Sequence, residues 1–496
     1  MKRLIQFAVS VTGVSMLLVN SSCKKDFLEL SDPTRIETGD YYKDSASIAS
    51  GVNACYSSMM DIYGRNSGAR GIFPYADVTS DDTYSVVEGT GIGEFEYFNF
   101  TSSNPVLQTT WQMMYRCIAR ANILISRAPA VPMGDSAKQR LMAEAKFMRA
   151  MTYFNAVRIW GDIPLVTEEI PTIQDAYKYG RASTADVYAQ IITDLKEAAP
   201  RLPVRYTATA DLGRITRGAA LGILGKVYLT MKNYSDAAST LNSFITEIAP
   251  GTYSLQSSYA NIFLTTNEMN SEIIAAVRYK KGGTNTGSLF NNSFGPPYTS
   301  VVGVGNGYQF NLVRKELYDT LRNFDAQTKD SIRFKSSFGF IGGSFYYTRK
   351  YLDMPTTEND ADNDWIILRY ADVLLMYAEA LNELDAANVG TAITYVNQVR
   401  VRAGFSGTGL LQPTMTQENL RLAIEAERRM ELNVEGHRWF DLVRTGRAIE
   451  VMNKHFIANN IRIGNTPVQI DAHNLLFPIP ITEINTNPII KQNTGY

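Results

Sequence analysis

The sequence predicts a mainly α-helical protein in which TPR-like helix pairs form a scaffold and loop-rich insertions with short strands interrupt it. Three observations predict this. Helical segments recur along the 496 residues. Several carry a small residue three places before a tyrosine or leucine, the spacing found in helix–turn–helix repeats. The stretches between them are irregular, rich in Gly, Asn and Ser, and too long to be simple turns.

The first residues are not part of that scaffold. Met1-Lys2-Arg3 is a short positive run, and Leu4 to Val19 is mostly apolar. About 20 apolar residues are needed to cross a bilayer, so this shorter run reads as the core of a secretory signal, residues 1–22. Ser21 and Ser22 then precede Cys23, in the order of a bacterial lipobox, although Asn20 stands where an apolar residue is usual. The reading is lipidation of Cys23, with Lys24, Lys25 and Asp26 starting a solvated tether. The mature chain, 23–496, is expected to be one domain. Cys55 and Cys117 do not amount to a disulfide framework. Cys117 lies in an apolar helical stretch and reads as a buried free thiol.

Composition excludes some functions. Lys and Arg total 48 against 49 Asp and Glu, so no basic footprint for nucleic acid exists. No second apolar run approaches spanning length. Tyrosine is abundant, 28 against 4 tryptophans, and joins a flat apolar face to a hydroxyl.

The clearest helix pair is "ALGILGKVYLTMKNYSDAASTLNSFI", Ala220 to Ile245. Leu221, Leu224, Gly225 and Tyr228 are followed by Ala237 in the second helix. Gly225 lets the partner helix approach, Tyr228 fills the space one turn on, and Asn233 sits at the turn. Ala150 and Tyr153 repeat the spacing, as do Ala378 and Leu381, with a second helix expected around Ala392 to Val401. "TQENLRLAIEAERRMELNVEGHRWFDLVR" reads as one long amphipathic helix using Leu420, Ile424, Met430 and Leu432. The insertions are residues 66–110 and 250–365, with strand-like runs such as "EIIAAVRY" and "GGSFYYTRKYL". Between these runs, the long Gly282–Phe310 loop is rich in Gly and Asn yet carries five aromatics, which argues against plain disorder.

No catalytic or metal-binding motif is present. His437, His455 and His473 are far apart, and HExxH, CxxC, P-loop and GxSxG patterns are missing. A carboxylate pair of glycosidase type does not announce itself. "EAERRMELNVEGHRWFDLVRTG" looks most catalytic, with Glu427, Glu431 and Glu435 four apart among Arg428, Arg429, Arg438 and Arg444. Abundant arginines disfavour a cation site, so the reading is a carboxylate–guanidinium network that locks helices, with Trp439 and Phe440 packed beneath.

This stretch resembles the signature of the SusD/RagB family of outer-membrane nutrient-binding lipoproteins. Three further stretches are similar to that family: "EAKFMRAMTYFNAVRIWGDIPLV" (Glu144 to Val166), "WIILRYADVLLMYAEALNE" (Trp365 to Glu383), read as its central helix, and the closing "FPIPITEINTNPIIKQNTGY". The lipobox with "CKKDFLEL" matches its start. The resemblance implies a SusD-like fold, no catalysis and no cofactor. It also implies a cell-surface location in the outer membrane through lipidated Cys23. The partner would be a SusC-like TonB-dependent barrel that receives the captured nutrient. The nutrient class implied is an oligosaccharide or other glycan. A peptide, as in RagB-like uptake, is the alternative; a surface glycosidase or a TPR-type protein scaffold is a further reading.

Sugar C–H faces stack on aromatic rings while carboxylates, amides and guanidinium groups bind hydroxyls. The early region offers Asp81, Asp82, Tyr84, Tyr97 and Asn99. The later one offers Arg278, Tyr279, Phe290, Tyr298 and Tyr308. Only Asp81, in "TSDD", matches a family motif; the others follow from composition and position. No metal site is expected.

Overall fold

The computed structural model describes residues 41–65, 71–86, 89–326 and 332–496. The expected signal peptide and Cys23 lie outside them. Several of the long helices start at a residue whose side chain caps them. Asp44 accepts from the Ser47 N–H at 2.8 Å and opens α1 (Ser45–Tyr63). Asn104, followed by Pro105, opens α2 (Pro105–Arg127). After α3 (Asp135–Trp160), Ser183 caps α4 (Thr184–Ala198), Thr216 caps α5 (Arg217–Thr230) and Asn233 caps α6 (Tyr234–Ser243). Then come α7 (Tyr370–Leu384), α8 (Val389–Arg402), α9 (Gln417–Glu431), α10 (Arg438–Arg444) and α11 (Ala448–Ala458). From α1 to α7 each helix packs on its predecessor, and α7 also carries α8 and α9. One apolar cluster runs from Ile48 to Ile490. Among the described residues no helix is long and apolar enough to cross a membrane.

The α5/α6 pair shows how sequence sets the packing. A methyl group on Gly225 would lie 2.5 Å from Leu241 Cδ2 and 2.6 Å from its Cγ, so α6 approaches only because Gly225 has no side chain. Tyr228 and Ala237 are buried beside it. The left-handed residue of the turn is Lys232 (φ 59°), not Asn233, whose amide caps α6 instead. Trp111 lies inside α2.

Six of the short strands lie within or beside the insertions: β1 (Thr83–Tyr84), β2 (Ile273–Val277), β3 (Leu312–Val313), β4 (Phe338–Ile341), β5 (Phe345–Thr348) and β6 (Trp365–Arg369). β2 and β5 fall on the two strand-like runs of the sequence. β6 corrects one expectation. "WIILR" is not the start of the central helix but a strand antiparallel to β2, with Val277 opposite Trp365. Ile366 and Ile367 are β-branched and suit that pairing. Tyr370 then donates its N–H to the Glu272 carbonyl at 2.8 Å, and the helix begins there.

The second correction is a break in the expected long helix. α9 stops at Glu431 and α10 starts at Arg438, with Val434 (φ 56°) and Gly436 (φ 78°) both left-handed between them. Glu435 is therefore off the helix. The break exposes backbone to other elements: buried Lys350 donates to the Asn433 carbonyl and to Glu435 Oε1, each at 2.7 Å, and the Gly436 N–H reaches Asp77 Oδ1 at 3.0 Å.

The three glutamates do sit in a carboxylate–guanidinium network with Trp439 and Phe440 buried nearby, but with other partners than their sequence neighbours. Glu427 meets Arg333 at 2.6 Å and Arg400 at 2.8 Å. Glu431 meets Arg333, Arg369 and Arg402, and Glu435 meets Lys350 and Arg369. Glu272 completes the network through Arg369 and Arg402. The cationic neighbours hold Glu431 down at about 2 against its burial. Such a buried network adds little net stability over apolar packing, yet deleting one member costs about 3–5 kcal/mol. It therefore fixes which surfaces meet.

Candidate ligand-binding site

β1 pairs antiparallel with β3, Thr83 opposite Val313 and Tyr84 opposite Leu312, so the two insertions are joined by one small sheet. The Arg314 N–H extends the pairing to the Asp82 carbonyl at 2.9 Å. This places the Arg314 guanidinium 5.1 Å from the centre of the Tyr84 ring and against the carboxylate of buried Glu96. A short helix, Gly93–Tyr97, follows β1. Phe98 turns left-handed (φ 52°) after it and leaves Asn99 exposed while Phe98 itself is buried.

These groups line a cleft of about 780 Å³. One wall holds Tyr84, Glu94, Glu96, Tyr97, Asn99 and Arg314; the other is Asn459–Arg462, just past α11. Burial pushes Glu96 above the usual carboxylate range, with Arg314 pulling against it. Burial, then Arg314, holds the nearby His455 down at about 4, so it is neutral at pH 7. Among the described residues the cleft thus offers two half-buried tyrosine rings, three amides, two carboxylates and two guanidinium groups. That set suits a polyhydroxylated ligand with apolar faces. A second cleft, of about 700 Å³, is lined by Trp111, Tyr115, Ile118, Ile173, Tyr177 and Ile490 among others. It is more apolar and fits sugar hydroxyls less well.

Of the ten candidate residues, the structure brings Tyr84, Tyr97 and Asn99 together in the first cleft. Tyr298 and Tyr308 lie outside its lining. Tyr298 packs with Tyr84 on the small cluster of Val301, Leu312 and Tyr347, its ring edge-on to Phe345. Tyr308 donates to Glu358 Oε1 at 2.7 Å and stabilises its own loop.

The other five also lie outside the lining of this cleft and are engaged by framework partners. Asp81 and Asp82 are buried and spent on arginines: Arg438 and Arg429 reach Asp81 at 2.8 and 2.9 Å, and Arg429 reaches Asp82 at 2.7 Å. Arg278 pairs with Glu268 and, at 2.7 Å, with Asp364. Tyr279 is buried and donates to the Met60 carbonyl at 3.0 Å. Phe290 sits in an aromatic cluster with Tyr279, Phe294, Tyr351 and Trp365. Each already has partners within the fold: Asp81, Asp82 and Arg278 in ion pairs, Tyr279 on α1 and Phe290 in the aromatic cluster.

Sequence reasoning missed Glu94, Glu96, Arg314 and Asn459–Arg462. The two glutamates stand in "EFEYFN", beside Tyr97 and Asn99, and that adjacency was a usable signal. Arg314 and the far wall arrive by long-range folding and leave no local mark. The thiols of Cys55 and Cys117 are free and buried, and burial pushes Cys117 up to about 11.

Comparison with known proteins agrees with this architecture. A family model described as "SusD family" matches residues 259–496, and one described as "Starch-binding associating with outer membrane" matches residues 26–229. SusD-like protein P25 of Formosa agariphila is 27% identical over 96% of this chain and 97% of that protein. A solved laminarin binding SusD-like protein is 28% identical, with a TM-score of 0.77, covering 92% of this chain and 100% of that one. Surface glycan-binding protein A from Bacteroides fluxus is 25% identical, also with a TM-score of 0.77, over 92% and 100% of the two chains. With two family models covering both halves and relatives aligned over nearly their full length, the chain belongs to the SusD/RagB family.

Proposed function

We propose that this protein captures oligosaccharide at the cell surface and passes it to a SusC-like TonB-dependent barrel in the outer membrane. The observation that carries the reading is the cleft in which Tyr84, Tyr97 and Asn99 converge with Glu94 and Arg314. The two rings take apolar sugar faces; Asn99 and Glu94 take hydroxyls. Cys23 carries the lipid that holds the protein at the membrane. The protein binds without turnover: among the described residues that line the cleft, Glu96 is occupied by Arg314 and Glu94 has no second free carboxylate beside it. The solved laminarin-binding and surface glycan-binding relatives support glycan over peptide.

Calorimetry on Lys24–Tyr496 tests this with panels of oligosaccharides and oligopeptides. Saturable binding to one glycan class, lost in the Tyr84→Ala/Tyr97→Ala double variant, is expected. A peptide signal with no glycan signal would overturn the reading, and release of reducing ends would make the protein a glycosidase. Co-purification of the full-length lipoprotein with a barrel from outer membranes tests the partner.

A further inference from the structure

Only one wall of the cleft comes from the insertions. The other, Asn459–Arg462, belongs to the scaffold and is held by its own hydrogen bonds. Asn460 is left-handed (φ 52°). Ile461 is buried; its N–H donates to the Phe456 carbonyl at 2.9 Å, and its carbonyl accepts from Val468 at 3.0 Å. Arg462 donates from Nε to Asn460 Oδ1 at 2.6 Å and from Nη1 to the Asn465 carbonyl at 2.9 Å. Both acceptors are neutral, so the guanidinium is oriented without being neutralised. Among the described residues its Nη2 has no hydrogen-bond partner.

The facing wall has a complementary group. Glu94 accepts from Asn104 Nδ2 at 2.6 Å through Oε2. Among the described residues no cation pairs with it, whereas Glu96 beside it is offset by Arg314. A ligand in the cleft therefore meets one oriented donor, Arg462, and one oriented acceptor, Glu94. Neighbouring hydroxyls of a pyranose present the matching acceptor and donor. A polyuronate or polysulfate would instead lay repeated negative charge along Glu94.

We propose that Arg462 and Glu94 are the specificity-determining pair of this cleft and select a neutral, polyhydroxylated oligosaccharide over a polyanionic one. The inference rests on the glycan-binding reading above. The test is calorimetry with neutral oligosaccharides from laminarin, starch and xylan, and with oligogalacturonate, on the wild type and on Arg462→Ala, Arg462→Lys and Glu94→Gln. The wild type is expected to bind a neutral glycan and not oligogalacturonate. Arg462→Ala should weaken that binding about ten-fold, the loss of one charge-assisted hydrogen bond. Arg462→Lys should recover part of it, and Glu94→Gln should weaken the neutral glycan while admitting oligogalacturonate. Arg462 is exposed, so an unchanged thermal midpoint separates lost contact from lost fold. Neutral binding that survives both Arg462→Ala and Glu94→Gln unchanged would sink the inference and leave the glycan-binding reading standing. So would wild-type preference for oligogalacturonate. A wild type that binds no oligosaccharide at all would remove the parent reading and this one with it.

Discussion

Replacing Arg314 by Met separates the two roles that the structure gives it. Its guanidinium pairs with Glu96 and covers the Tyr84 ring. The side chains are 12% and 6% exposed, closer to a buried pair than to a surface one. Breaking a buried pair by removing one partner costs about 3–5 kcal/mol, against about 0–1 for an exposed pair. The partial exposure of Arg314 puts the expected loss at the low end, about 3 kcal/mol. A pH signature accompanies it. Burial already raises Glu96, and Arg314 is the largest influence pulling it back. Without Arg314 the carboxyl rises further above its unfolded value. A carboxyl raised on folding holds its proton more tightly in the folded state, so its contribution falls as pH rises through the raised value. The deficit of Arg314→Met should therefore be largest at pH 8 and shrink toward pH 5. Urea unfolding followed by circular dichroism at both pH values measures it, provided the slopes match those of the wild type. Loss of the cation over Tyr84 should also weaken glycan binding about two- to five-fold, from about 0.5–1 kcal/mol. A deficit below about 1 kcal/mol at pH 8, or one equal at both pH values, would refute the argument that Glu96 is buried and depends on Arg314.

Other parts of the fold carry three more expected outcomes. Gly225→Leu drives a side chain into Leu241 and should cost about 1–3 kcal/mol in urea unfolding, with partial rescue by Leu241→Ala; additive losses would mean that the two helices do not meet there. Burial raises Asp77 to about 7, so the wild type should lose stability as pH rises from the ordinary carboxyl range through 7, whereas Asp77→Asn should flatten that slope. Equal slopes in urea midpoints between pH 5 and 8 would clear Asp77 of that role. Cys55 and Cys117, the two thiols of Lys24–Tyr496, should stay unlabelled by an aromatic disulfide reagent at pH 8 until denaturant is added, since burial raises both. Prompt labelling of the native chain would contradict their burial.

The scaffold was legible because its rules are local. Gly225, Tyr228 and Ala237 report a helix pair within 13 residues, and the cap at Asn233 lies inside the same stretch. Expectation failed where a local pattern has two solutions. "WIILR" is a short apolar run that periodicity alone cannot assign, and its partner strand lies far back at β2. The break after Glu431 was marked by Asn433 and Gly436, but the charge spacing of Glu427, Glu431 and Glu435 suggested a continuous helix. Those charges also show the limit of reading ionic networks from neighbours. The arginines next to them in sequence serve other acids: Arg429 and Arg438 hold Asp81 and Asp82, while the glutamates take their cations from Arg333 to Arg402.

The same reasoning explains the uneven reading of the site. Composition places aromatics and acids in the insertions, but a long insertion must first bury its own backbone and build its own core. Phe290 and Tyr279 are consumed by burial, Arg278 by ion pairs within the later insertion, and Asp81 and Asp82 by arginines of the scaffold. What remains for a ligand is the surplus: Tyr84, held by a two-residue sheet, and Tyr97 with Asn99, turned out by the left-handed Phe98. The second wall is supplied by a scaffold loop with no aromatic or acidic signature. A cleft made from one variable insertion and one fixed scaffold edge can change its stacking rings without moving its hydrogen-bonding edge. Under the proposed function, that division of labour would place the choice of sugar face with Tyr84 and Tyr97, and the choice of charge with Glu94 and Arg462.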